Sequence, residues 1–127
     1  MSGRFAPDCE PMSPLCSDRA RAVAMKTRKQ ILEEFVAEDA SDSFSRYALA
    51  LELEKEGLEA EAVGQLQEVT VRDPDYVAAY YHLGRLLVRQ ANPEAARGAY
   101  QRGLEAAAKA ADQRTLAEIQ EALDSLD

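Results

Sequence analysis

Residues 80–100 read YYHLGRLLVRQANPEAARGAY. Leu83, Leu86 and Leu87 recur at helical spacing, and Asn92-Pro93 is an N-cap followed by proline at a first helical position, which closes one helix and opens the next. Ala96 and Tyr100, one turn apart, carry the apolar face of that second helix. The stretch 34 residues earlier, 46–66, reads RYALALELEKEGLEAEAVGQL and aligns with it without a gap. Leu49 falls on Leu83, Ala50 on Gly84, Leu53 on Leu87, Ala62 on Ala96, Leu66 on Tyr100 and, just beyond, Val69 on Gly103. Self-similarity at a fixed offset of this size is the mark of stacked supersecondary units.

Written as a pattern, the second copy is Tyr80-x2-Leu83-Gly84-x2-Leu87 followed by Ala96-x3-Tyr100. It resembles the tetratricopeptide repeat, whose pattern is aromatic-x2-Leu-Gly-x2-Tyr, then Ala-x3-Phe and a closing Pro. The first copy has Arg46 where the leading aromatic belongs and Ala50 for Gly, but supplies the closing Pro74. In the second copy Ala108 stands where Pro belongs, which predicts a second helix that runs long. The resemblance covers residues 43–108, and 28–126 with flanking helices. It implies an all-α fold, a short right-handed α-solenoid of antiparallel helix pairs with about six helices. The small residues make sense apart from the name: Ala50, Gly84, Ala62 and Ala96 let paired helices approach, and a bulky residue at Gly84 should split its pair.

Working outward, the apolar periodicity places helices near 43–56, 59–72, 76–90 and 93–109, giving repeat one at 43–76 and repeat two at 77–110. Asp73-Pro74-Asp75 stops the second of these helices. One repeat cannot bury its apolar face, so flanking helices should cap the stack. A helix near 28–38 places Leu32 and Phe35 one period before Leu66 and Val69, as the second half of a preceding repeat. A helix near 112–125 has Arg114, Leu116 and Ala117 close to the expected register but Glu121 at an apolar place, and reads as a polar-faced cap. Gly3, Pro7, Pro11 and Pro14 make residues 1–26 a disordered leader to a helical domain at 27–127, with Met25 an alternative start.

The 127 residues suit one domain, 46% hydrophobic and 30% charged, with no Trp. Residues 1–30 carry six Lys/Arg against three Asp/Glu, and residues 31–127 nine against twenty. So acidic a body repels a phosphate backbone, which argues against nucleic acid as a partner. No apolar run is long enough for a membrane span and no signal-peptide core is visible, so the expected location is the cytoplasm and no membrane partner is expected. Cys9 and Cys16 match no zinc or redox spacing and read as free thiols. With a single His and no phosphate-binding loop, no catalytic residue, metal site or cofactor is expected, and the chain is read as no enzyme. Glu33-Glu34 and Glu52, Glu54 and Glu56 diverge around their helices and read as solvated faces.

By the resemblance, the first helix of each pair lines a concave groove. The stripe there is Phe44, Tyr47, Leu51, Glu54 and Lys55 in the first repeat and Ala78, Tyr81, His82, Arg85 and Arg89 in the second. Tyr47, Leu51, Tyr81, His82, Arg85 and Arg89 are the expected partner-binding residues, with Arg85 and Arg89 as carboxylate binders. Two plainer readings stand beside this one. Phe44, Tyr47 and Leu51 would pack on the N-terminal cap, and the arginines would pair with acids on neighbouring helices. Some members of the family clamp chaperone C-termini with Lys and Asn, but Tyr47 and Leu51 occupy the corresponding places here. The expectation is therefore a non-enzymatic module binding a peptide or helix in its groove, as a monomer or weak homo-oligomer. The alternative is an assembly subunit that pairs through its solenoid ends.

Overall fold

The computed structural model describes residues 26–126, so the expectations for the leader, Cys9, Cys16 and Met25 lie outside the described residues. Among these the chain forms six helices joined by turns of three or four residues: α1 Arg28–Glu38, α2 Ser43–Lys55, α3 Glu59–Arg72, α4 Val77–Arg89, α5 Pro93–Lys109 and α6 Gln113–Asp124. The molecule is an all-α helical repeat of antiparallel helix pairs. The repeats and the core lie in one compact unit that begins at Leu32.

Polar side chains start four of the six helices, α1, α2, α5 and α6, by taking up their first free N–H groups, while α3 and α4 begin at Leu58 and Tyr76 without a side-chain cap. Thr27 and Gln30 form a reciprocal capping box at α1, with Gln30 N–H donating to Thr27 Oγ1 at 3.1 Å and Thr27 N–H to Gln30 Oε1 at 3.0 Å. Asp42 accepts from the Ser45 hydroxyl and N–H, and Asp112 from Thr115 N–H; these bonds hold both carboxyls below the usual aspartate range. Asn92 does the same for α5, accepting from Ala95 N–H at 3.3 Å just before Pro93, as its sequence predicts.

Helices α2, α4 and α5 end in one way. Leu58, Asn92 and Asp112 N–H each reach back 2.9 Å to the carbonyls of Leu53, Leu87 and Ala107, and the residue before each donor has a positive φ. This is the Schellman ending, and it asks for a left-handed residue at Gly57 (φ 82°), Ala91 (φ 61°) and Ala111 (φ 58°). Only the first is glycine.

The core runs along the seams between helices, with Leu49, Leu53 and Leu66 in the first repeat and Leu83, Leu87 and Tyr100 in the second, all buried. Fully burying a Leu-sized side chain is worth about 1.5–3 kcal/mol, so these seams hold the stack together. Gly84 lies against the Tyr100 ring so closely that a Cβ there would stand 2.6 Å from Cδ1 and Cζ. Gly103 is similar: a Cβ would meet Tyr80 Cβ at 2.8 Å and Ile119 Cδ1 at 2.9 Å.

At position 46 the arginine substitutes for an aromatic in a specific sense. The Tyr80 hydroxyl donates to the Pro74 carbonyl at 2.8 Å, and 34 residues earlier Arg46 Nη2 donates to the Ala40 carbonyl at 3.1 Å. Arg46 Nη1 also donates to Gln65 Oε1 at 3.0 Å, while its buried Nε has no hydrogen-bond partner.

The C-terminal cap is out of the expected register. Cap residues Asp42 and Tyr76 are one period apart, but the next, Asp112, comes 36 residues after Tyr76. Helix α5 runs 17 residues against 14 for α3, as the missing Pro at Ala108 predicts, and the overrun delays α6 by two residues. The buried positions of α6 are thus Ile119 and Leu123, in place of Ala117 and Glu121, both of which are exposed. With only those two residues buried, α6 presents a mostly polar outer face. At the other end Leu32 is buried as its alignment with Leu66 predicts, whereas Phe35 stands 47% exposed.

Candidate functional site

Helical spacing sets Tyr47 and Leu51 one turn apart on α2, and Tyr81, Arg85 and Arg89 one turn apart on α4. The stack then brings Tyr47 against the second repeat. Its ring centroid lies 5.1 Å from that of Tyr76 and 5.4 Å from that of His82, edge-on. His82 meets Tyr81 at 5.9 Å, and Tyr81 meets Tyr100 at 6.4 Å. Tyr76, Tyr47, His82, Tyr81 and Tyr100 thus form one continuous line of rings across α2, α4 and α5, with the Arg85 guanidinium 5.7 Å from the Tyr81 centroid.

The Tyr47 hydroxyl and His82 Nδ1 are 2.9 Å apart, and the same nitrogen is 3.2 Å from the Ala78 carbonyl. An unprotonated Nδ1 accepts from Tyr47; a protonated one donates to either oxygen. Burial, the adjacent Tyr76 and the Glu54 carboxylate push the Tyr47 phenol up to about 12. Burial also raises Tyr76 and Tyr100. These phenols stay neutral hydrogen-bonding groups at any physiological pH.

The two arginines have different partners. Arg89 Nη1 donates to Glu54 at 2.9 Å and Nε to Glu59 at 3.1 Å, with Nη2 on Glu59 as well. Hydrogen bonds to Glu59, then to Glu54, raise its pKa further. For Arg89, then, pairing with neighbouring helices is what the structure contains. Arg85 is exposed and has no carboxylate partner among the described residues.

Leu51 is half-buried beside Tyr47 on α2. Phe44 does not pack away on α1: it stands 66% exposed. Two rings of the line, Tyr76 and Tyr100, are not among the residues expected at the groove. Tyr100 is the buried helix-contact residue that the repeat pattern predicts, and Tyr76 sits at a cap where the first copy has Asp42, so the 34-residue pattern gives no aromatic there. Among the described residues no group of three His, Cys, Asp or Glu could hold a metal ion, and no helix is long and apolar enough to cross a membrane.

No protein-family model matches the sequence, and neither does any curated protein. Solved structures do. The crystal structure of a tetratricopeptide repeat domain protein from Salinibacter ruber is 39% identical, covers 67% of this chain and 94% of its own, and has a TM-score of 0.64. This chain belongs to the tetratricopeptide repeat family. The solution structure of the Salinibacter domain agrees, at 38% identity over 70% of this chain and 90% of its own with a TM-score of 0.67. The type III secretion translocator chaperone SycD of Yersinia enterocolitica shares the fold, with a TM-score of 0.74 over 89% of this chain and 79% of its own, at 14% identity. A tetratricopeptide repeat fold of this kind is a protein-interaction module.

Proposed function

We propose that this tetratricopeptide repeat protein is a non-enzymatic, cytoplasmic interaction module that binds an extended peptide or a helix in its concave groove, over the line of rings from Tyr76 to Tyr100. The supporting observation is the continuity of that line across α2, α4 and α5, with Arg85 free of carboxylates beside it. Tyrosine and arginine are enriched at interface cores and among the residues that carry most binding energy. Affinity capture by the full chain, compared with Tyr81→Ala and Leu51→Arg baits of unchanged helical circular dichroism, tests the reading. Partners lost from both variants support it, and partners retained by both overturn it.

A second reading has an observation of its own. Phe35 on α1 and Phe44 at the start of α2 are 47% and 66% exposed, and aromatics so exposed favour pairing through the N-terminal end of the stack. Sedimentation separates the two readings: a tight dimer dissociated by Phe35→Glu/Phe44→Glu favours assembly, and a monomer favours the groove.

A further inference from the structure

Where the ring line ends at Tyr100, the surface opens into a cleft of about 340 Å³. Its apolar wall is Val88 of α4, Tyr100 of α5, Ala122 of α6 and Leu126 just beyond α6, and its polar rim is Arg85, Arg89 and Ser125. The two-residue delay that shifts α6 out of register leaves Ala122 and Leu126 half-buried, packed on the core with one side toward this cleft.

Arg85 is unusual here for its charge environment. Residues 31–127 hold twenty Asp/Glu against nine Lys/Arg, and Arg89, one turn away, is taken by two of those acids. Arg85 instead holds its guanidinium 5.7 Å from the Tyr81 centroid and has no carboxylate among the described residues, which leaves its N–H donors for a two-point bond to a carboxylate of a partner. The space is at the small end of ligand sites, room for one or two side chains.

We propose that this cleft sets the specificity of the groove by taking a partner segment in which an Asp or Glu lies beside a Leu, Ile, Val or Met. The carboxylate bonds Arg85, and the aliphatic side chain seats against Val88, Tyr100, Ala122 and Leu126. A basic segment is repelled by Arg85 at this point. The proposal rests on the groove reading above, and narrows it to one end of the groove and one chemistry of partner.

The test is selection of a random dodecapeptide library displayed on phage against the full chain. The winning peptides are then synthesised and titrated against wild type, Arg85→Gln, Ala122→Phe and Tyr47→Ala. Winners that share an acid–aliphatic pair, and lose at least tenfold in affinity on both Arg85→Gln and Ala122→Phe with helical content intact, are the expected result. Ala122→Phe fills the cleft without changing its charge, so its effect reports the apolar seat. Winners weakened by Tyr47→Ala but indifferent to the other two variants overturn the cleft and leave the groove reading standing. Winners with a basic consensus overturn the cleft as well. If no peptide is enriched, both readings fall.

Discussion

The two repeats share one backbone plan and fill it with different side chains. Where the first pairs Ala50 with Leu66, the second pairs Gly84 with Tyr100; where the first sends Arg46 to the Ala40 carbonyl, the second sends Tyr80 to the Pro74 carbonyl; where the first turns on Gly57, the second turns on Ala91. Each exchange conserves a contact while changing its chemistry. Across the seam of the second repeat the larger residue, Tyr100, is met by the smaller one, Gly84. The second repeat thereby gains a buried ring, Tyr100, that lies against Tyr81 and continues the aromatic line.

That account can be broken most sharply at Gly84. Gly84→Ala puts a methyl into the Tyr100 ring and should cost about 2–3 kcal/mol in urea denaturation, as overpacked cores do. Adding Tyr100→Leu recreates the first repeat's Ala–Leu pair and should return at least half of the loss, a coupling that a double-mutant cycle measures. A Gly84→Ala single variant as stable as the wild type would end the size-exchange argument.

Arg46 offers the next test. Arg46→Ala strands the Ala40 carbonyl and Gln65, at a cost of about 1–3 kcal/mol. Arg46→Tyr copies Tyr80, removes the partnerless Nε and should match or exceed wild-type stability, measured by the same unfolding curves. Smaller again is the turn: Ala91→Gly relieves a left-handed alanine and should gain about 0.5–1 kcal/mol, while Gly57→Ala should lose a similar amount.

The smallest effect at neutral pH is the Tyr47 phenol. The fold raises it from 10 to about 12, so it favours the neutral form. Its contribution to stability is complete below pH 10 and is lost as pH rises through 12. Thermal melts of wild type should fall across that window more steeply than those of Tyr47→Phe.

The helices were legible because the signals that place them are local. Asn92-Pro93, Asp73-Pro74 and the apolar period locate their ends to within a residue or two. The missing Pro at Ala108 announces that α5 overruns but not by how many residues, since alanine, the best helix former, sets no limit, and so the register of α6 stayed hidden. The site was legible only in part. Tyr47, Tyr81 and Arg85 share one helical stripe with their neighbours and could be grouped, but the Tyr47–His82 bond joins residues 35 apart and the Arg89–Glu59 pair residues 30 apart. Nothing in a helix period encodes which of two adjacent arginines will find an acid on another helix.

The line of rings also makes the protein its own optical probe. The chain has five Tyr and no Trp, so its near-ultraviolet emission is tyrosine emission alone. Four of those five belong to the line as two pairs, Tyr76 and Tyr47 with centroids 5.1 Å apart and Tyr81 and Tyr100 with centroids 6.4 Å apart, joined through His82. At such spacings excitation passes readily between rings, and a phenol quenched at one end drains the others. A carboxylate or ring settling anywhere along the groove would register in the emission intensity and anisotropy of the whole set, with no label attached.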